Sequence, residues 1–292
     1  MLKCNDTLLI TLAATLYLVS TPIGNLEDIT LRAIRVLKEE VSLIACEDTR
    51  QSSKLLDHYD IRKPLVSYHE HNEAGRAETL VAKLLDGVSI ALLSDAGTPL
   101  VSDPGFRLVK AAIDAGVTVV PLAGPSAVLG ALVASGLPSE TFRFIGFLPP
   151  RQTARRKTIE SLLDEQATVI AYESPHRILE ALDDMREILG ERPVALGREM
   201  TKIHEEFLRG TPHSILETLR SRPGVKGEIT LVIGRPAARA AAPGVDPVAE
   251  VGRLQREEGM ERMAAIKTVA KSLGLPKREV YRLLENEPER QS

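Results

Sequence analysis

Three segments of this chain combine residue types that ordinary connections rarely share: TPIGN at 21–25, SDAGTPLVSDPG at 94–105, and AGPSA at 123–127. Glycine lets backbone come close to a ligand, and the free amides at the start of a following helix can receive a carboxylate or another acceptor. Turn shaping alone accounts for any one of Gly97, Pro99, Gly105 or Pro125, but three such loops after three predicted strands point to a binding site. Side chains able to take up a proton stand at or just beyond predicted strand ends: Glu47 and Asp48 in CEDTR, His69 and Glu70 in YHEHNE, and Glu173 in YESPHR. The sequence does not separate these candidates. Glu47 and Asp48 read equally well as a helix-start network with Arg50, because acidic residues are favoured in a first turn. His69, Glu70 and His71 have the types of a metal site, yet no further ligand stands at a convincing spacing, and no metal is expected. Cations gather in PPRQTARRK, where Arg151, Arg155, Arg156 and Lys157 form either a solvated face or a track for phosphates.

An open parallel sheet would bring the loops together, since ligands of such folds bind at the carboxyl ends of the strands. Short apolar runs at 16–20, 42–46, 65–68, 89–94 and 118–122 predict strands covered on both faces. Helical stretches separate them. In one, Ile29, Ala33, Val36 and Leu37 share a face; another starts with Asp103 as N-cap and Pro104 at the first helical position, and runs to Gly116. Further strands are expected at 142–148, 168–173, 194–199, 206–209 and 229–233, with helices at 127–135 and 214–220 and one opened by Ser174 and Pro175. The close spacing around 200–205 predicts an antiparallel pair and a mixed second sheet.

These elements divide the chain into an N-terminal α/β domain at 14–124, a C-terminal α/β domain at 125–235, a Pro- and Ala-rich linker at 236–247, and a helical unit at 248–292. In the last, Met263, Ile266, Val269, Ala270 and Leu273 form one apolar face. Gly274 is a natural C-cap, and a second helix is expected to bury Val280, Leu283 and Leu284. Helix, tight turn, helix is also the pattern of a helix-turn-helix, although any small helical hairpin shows it.

The chain has 292 residues, 43% of them hydrophobic, which is enough for two cores. Lys and Arg total 37 against 40 Asp and Glu, so charge-driven capture of any passing RNA is not expected. Two cysteines without metal or CxxC spacing suit a reducing cytoplasm. Aromatics make up 3% with no Trp, leaving few platforms for bases. There is no dinucleotide fingerprint, phosphate loop, HExxH or GxSxG elbow. The apolar run at 8–19 reads as a first strand preceded by a dispensable leader rather than as a secretory signal, and it is too short to span a bilayer.

Taken in order, TLYLVSTPIGNLEDITLRA, CEDTR, YHEHNE, SDAGTPLVSDPG, GPSA, YESPHR, REMTK and KGEITLVIG resemble the landmarks of the ribosomal RNA small-subunit methyltransferase I family. These are 16S rRNA cytidine 2'-O-methyltransferases within the tetrapyrrole-methylase superfamily. The likeness runs from about residue 15 to residue 234, departing at Ala123, where members commonly have proline, and in the segment before Thr15. It implies an α/β, two-domain tetrapyrrole-methylase-like fold with a parallel-rich first sheet, a mixed second sheet and a helix-turn-helix-like tail. It also implies a cleft holding S-adenosyl-L-methionine. Asp95, Ala96 and Gly97 would approach the methionine end and ribose, and Pro22 would close the neighbouring wall. Ser126 and Ala127 would add contacts at the junction, with adenine near Tyr172, Met200 and the backbone of Gly227. The resemblance implies a small-ribosomal-subunit partner, with Arg151, Arg155, Arg156, Lys157, Arg177 and Lys202 near phosphates, and a cytoplasmic homodimer. Competing expectations are methylation of a tetrapyrrole-like small molecule on the same fold, and an RNA-binding module with an idle cofactor site.

Overall fold

Apolar strands without polar alternation need helices on both faces, and the computed structural model, which describes residues 14–236, 245–273, 275 and 277–285, has that construction. The leader at 1–13, the greater part of the linker, and Gly274 lie outside the described residues. β1 (Thr15–Val19), β2 (Leu43–Cys46), β3 (Leu65–Ser67), β4 (Ile90–Leu93) and β5 (Thr118–Leu122) form an all-parallel sheet in the order β3-β2-β4-β1-β5. β4 is central and buried along its whole length, as its IALL sequence demands. Crossovers run through α1 (Leu31–Arg35, continued by a π-turn at Val36–Glu40), α2 (Thr49–His58), α3 (Glu73–Leu85) and α4 (Phe106–Asp114). Ile29, Ala33, Val36 and Leu37 are all buried, as their spacing predicts.

The start of α4 differs from the sequence reading. Gly105, not Asp103, occupies the N-cap, and the helix begins at Phe106. Asp103 is thereby released from capping and left in the loop.

The second sheet contains β6 (Phe142–Phe147), β7 (Thr168–Glu173), β8 (Val194–Arg198), β9 (Glu206–Gly210) and β10 (Ile229–Ile233), in the order β6-β7-β10-β8-β9. β6 and β7 are parallel and every other pair is antiparallel, so the sheet is mixed. α5 (Ala127–Ser135) packs on β8 and β10, while α6 (Gln152–Glu160), α7 (Ile178–Leu189) and α8 (Pro212–Arg220) pack as neighbours. Ser174 and Pro175 form a turn ahead of α7 rather than its first residues.

Among the described residues the terminal unit has three helices where two were expected: α9 (Pro247–Glu257), α10 (Arg262–Leu273) and α11 (Lys277–Glu285). Val251 and Leu254 of α9 join Ile266, Val269, Leu273 and Val280 in one core, whereas Met263 and Leu283 are exposed. The added helix explains the shift, because α9 covers a face that a two-helix hairpin would leave open.

Candidate active site

The three Gly- and Pro-rich loops are stitched to one another at the carboxyl ends of β1, β4 and β5. Thr21 and Gly97 exchange two backbone hydrogen bonds of 2.9 Å each. The Thr21 hydroxyl donates to the Ser94 carbonyl at 3.1 Å, and the Ser94 hydroxyl to the Gly97 carbonyl at 3.0 Å. The third loop is tied in through Thr98, whose hydroxyl lies 3.1 Å from that of Ser20 and donates to the Pro125 carbonyl at 3.3 Å. Gly97 has a φ of +79°, a region that side chains disfavour, and it thereby turns its backbone onto Thr21. Ser126 then caps α5, accepting from the Leu129 amide.

Between these loops and the second sheet lies a cleft of about 410 Å³, within the range of small-molecule sites. One wall carries Ile23, Asp95, Ala96, Gly97, Val101 and Asp103, and the junction adds Ser126 and Ala127. The opposite wall is made by Phe147, Tyr172, Glu173, Gly227, Glu228 and Thr230. Of the expected cofactor residues, Asp95, Ala96, Gly97, Ser126, Ala127, Tyr172 and Gly227 therefore line one space. Pro22 does not; its neighbour Ile23 supplies that wall. Met200 is buried beside the cleft with Val128, Leu132 and Ile170, and supports the wall from behind.

The expected proton acceptors separate clearly. Asp48 caps α2, accepting from the Arg50 amide at 2.8 Å and pairing with its guanidinium at 3.0 Å, so the helix-start reading describes it. Its own amide donates to Asp95 Oδ1 at 3.1 Å. Glu173 is buried, with Oε1 accepting from the Ser174 amide and from Arg177, while Oε2 has no partner. His69 is pinned by Asn72, which accepts from its amide at 2.9 Å and meets its Nε2 at 3.1 Å. Neither His69 nor the exposed Glu70 lines the cleft. Glu47 is half-buried, and its carboxyl is raised by burial and then by the charge of Asp95, with His69 opposing.

Asp103, read from sequence only as a helix cap, is one of two carboxylates that the structure adds to the cleft; the other is Glu228. Burial, then the charges of Glu47 and Asp95, push it up to about 6, against a smaller opposing effect of the Ser94 hydroxyl. Facing it, Tyr172 is pushed up to about 12 by burial and by the charges of Asp103 and Glu228. Among the described residues no Lys, Arg or His lines the cleft, whereas Asp95, Asp103, Glu173 and Glu228 all do.

The expected cations are mostly engaged with carboxylates. Arg155 is a correction: its side chain is 1% exposed, with Nε 2.8 Å from Asp184 and Nη2 3.2 Å from Glu180. Burial in an ion-pair network removes it from any ligand. Arg156 pairs with Asp184 and Glu187, Arg177 with Glu173, and Lys202 with Glu199 and Glu228. Arg151 and Lys157 are exposed, and among the described residues neither has a carboxylate within ion-pair distance.

Comparison with known proteins agrees with this geometry. The tetrapyrrole (corrin/porphyrin) methylase family matches residues 15–215. Ribosomal RNA small subunit methyltransferase I of Halalkalibacterium halodurans is 48% identical over 278 residues, covering 94% of this chain and 95% of that protein. The chain belongs to the ribosomal RNA small subunit methyltransferase I family. The Mesorhizobium japonicum member is also 48% identical, over 94% of this chain and 92% of its own. For the fold, the crystal structure of uroporphyrin-III-C-methyltransferase from Thermus thermophilus superposes with a TM-score of 0.53 at 22% identity, over 76% of this chain and 94% of that one. Methyltransferases of this family use S-adenosyl-L-methionine. The cleft suits it on its own terms: a sulfonium and an ammonium are cations, and among the described residues Asp95 and Asp103 stand beside apolar walls with no basic side chain within ion-pair distance, while Glu173 and Glu228 are paired with Arg177 and Lys202.

Proposed function

We propose that this methyltransferase transfers a methyl group from S-adenosyl-L-methionine to the ribose 2'-hydroxyl of a cytidine in the 16S rRNA of the small ribosomal subunit, in the cytoplasm. The observation that carries the reading is the cleft lined by the unpaired carboxylates Asp95 and Asp103, with Glu173 and Glu228 beside them, and, among the described residues, by no basic side chain. Such a lining accepts a cationic donor and a neutral hydroxyl and repels phosphates and polycarboxylates. The same charge disfavours the tetrapyrrole alternative, whose substrates carry several carboxylates. The small subunit as partner is supported by the relatives, which are ribosomal RNA small subunit methyltransferases; the cytidine and its 2'-oxygen rest on the motif resemblance.

The cofactor, when bound, supplies a methyl carbon whose sulfonium leaving group takes the bonding electron pair. Asp95, Ala96, Gly97, Ser126 and Ala127 would hold it from the first wall, and Tyr172 and Gly227 from the second. Ile23 and Val101 keep water from its apolar flank. A ribose hydroxyl is a poor nucleophile near neutral pH, and the group that takes its proton must titrate close to the working range. Asp103 meets this condition inside the cleft, where burial first, and then the charges of Glu47 and Asp95, keep its carboxyl receptive. Glu173, locked by Arg177, positions the turn at Ser174. Outside the cleft, Arg151 and Lys157 are the cations that would meet phosphates.

Incubating the protein with labelled cofactor and small subunits from cells lacking this mark tests the reading. Label entering the RNA supports it, and label entering only a tetrapyrrole, or nothing, removes it.

Homodimerisation belongs to the same proposal. α5 exposes Leu129 and Val133, 50% and 77% accessible and four residues apart, so both lie on one helix face. An apolar pair left in water at the domain junction suits a second copy. Val133→Glu is expected to halve the mass seen by light scattering while S-adenosyl-L-methionine binding persists; an unchanged mass contradicts this interface.

A further inference from the structure

The chain has only five Phe and five Tyr, and three of these ten pack together: Phe147 and Tyr172 line the cleft, and Phe144 packs against Tyr172. Phe144 and Tyr172 lie edge to face with ring centroids 5.0 Å apart, and Phe147 and Tyr172 with centroids 5.3 Å apart. Phe147 is 57% exposed and lines the cleft, so one side of its ring is fixed by Tyr172 while the rest is open. A large apolar ring held in that way costs hydration and contributes little to the core.

Its orientation is a product of strand irregularity. Phe142 pairs with Thr168 and Phe144 with Ile170, but Phe147 pairs with Tyr172, so three residues of β6 span what two span in β7. Side chains alternate along a strand, and without the extra residue 147 would fall on the face opposite Phe144. The bulge returns Phe147 to the face of Phe144 and Tyr172. Gly146 permits it with a φ of +70°; a side chain there would also approach the Ser102 hydroxyl in the loop that carries Asp103. Bulges that re-aim a side chain are frequent beside active sites.

We propose that Phe147 is the platform on which the base of the acceptor nucleotide stacks, presenting its ribose to Asp103. The inference rests on the RNA reading above and specifies how that site takes its substrate. The acceptor base is favoured over the adenine of the cofactor because Phe147 stands at the exposed rim and leads within four residues, through Pro149 and Pro150, to the exposed cation Arg151, which has no carboxylate within ion-pair distance among the described residues. A ring and a cation at that spacing match a nucleotide whose phosphate must stay outside an acidic cleft. Stacking tolerates sequence, so the platform orients the nucleotide and leaves its choice to the ribosomal surroundings.

The test compares wild type with Phe147→Ala, Phe147→Leu and Phe147→Tyr, measuring methyl transfer to small subunits and, separately, equilibrium binding of S-adenosyl-L-methionine. For alanine, kcat/KM toward the subunit is expected to fall about 5- to 150-fold, the range for loss of one base–aromatic stack. Leucine should fall with alanine, tyrosine should stay near wild type, and cofactor affinity should hold in all three, which also reports that they are folded. Cofactor affinity falling in step with activity, undiminished transfer by alanine, or rescue by leucine as good as by tyrosine would each overturn the platform while leaving the RNA reading intact. A wild type that methylates no RNA would overturn both.

Discussion

Replacing Asp103 with asparagine is expected to lower methyl transfer by about a hundredfold or more at saturating cofactor, the usual contribution of a positioned general base. Asparagine preserves size and hydrogen bonding but cannot take the hydroxyl proton. In wild type, activity should rise with pH through about 6, where Asp103 ionises, and then level; the residual rate of the variant should lack that limb. A second effect follows from linkage. Because its folded pKa lies above the ordinary 3.8, the folded protein holds this proton more tightly than the unfolded chain does. Asp103 therefore costs stability as pH rises from about 4 through 6, and the cost is complete above that window. The variant should melt higher than wild type at pH 8 and lose that advantage as pH falls to about 4, while losing function, the exchange expected where a site is kept strained for chemistry. Full activity with the same pH limb in Asp103→Asn would show that the proton goes elsewhere, with Glu47 next in line.

Arg155→Ala should be the most destabilising change among the cations at the start of α6, and its effect should be on folding rather than on RNA. Asp184 is buried, and its Oδ2 is met at 2.8 Å by Arg155; after the truncation it keeps only Arg156 at 3.0 Å and a long contact from Gln152 at 3.4 Å. Breaking a buried ion pair from one side costs about 3–5 kcal/mol, because the remaining charge is left in a poor medium. For a domain of this size that is a fall in melting temperature of roughly 10 °C. Replacing both partners, Arg155→Met with Asp184→Leu, should recover most of the loss, as apolar substitutes of buried pairs do. Arg151→Ala should show the reverse pattern, with an unmoved melting temperature and weaker transfer to the subunit that depends less steeply on salt, because one phosphate contact is lost. If Arg155→Ala melts like wild type but fails on RNA, the burial argument is wrong.

All ten strands and the mixed second sheet were legible in sequence, because strands covered on both faces carry unbroken apolar runs that polar helical stretches interrupt. The loops were legible for a related reason: a chain that must approach a ligand at the ends of several strands uses Gly, Pro and Asp together. What failed depended on partners far along the chain. A run of Arg and Lys looks the same whether it faces water or a buried carboxylate, and Asp184 lies 29 residues beyond Arg155. Asp103 was hidden by a sound local rule, since Asp before Pro is a good helix start; the cap lies instead at Gly105, and Asp103 lines the cleft. Phe147 was hidden by a bulge, which breaks the alternation from which a strand's faces are read. The third tail helix was missed because the Ala- and Pro-rich segment before it blurs where periodicity resumes.

The most direct test of the account is the position of the methyl group. Small subunits unmodified at this site would be incubated with wild-type protein and methyl-labelled S-adenosyl-L-methionine, and the RNA then hydrolysed with alkali and digested to nucleosides. A 2'-O-methyl group blocks alkaline cleavage of the adjoining phosphodiester. The account predicts label in one alkali-resistant dinucleotide that yields 2'-O-methylcytidine. Label on a base, in alkali-labile mononucleotides, or absent from RNA while the cofactor is still bound would contradict it.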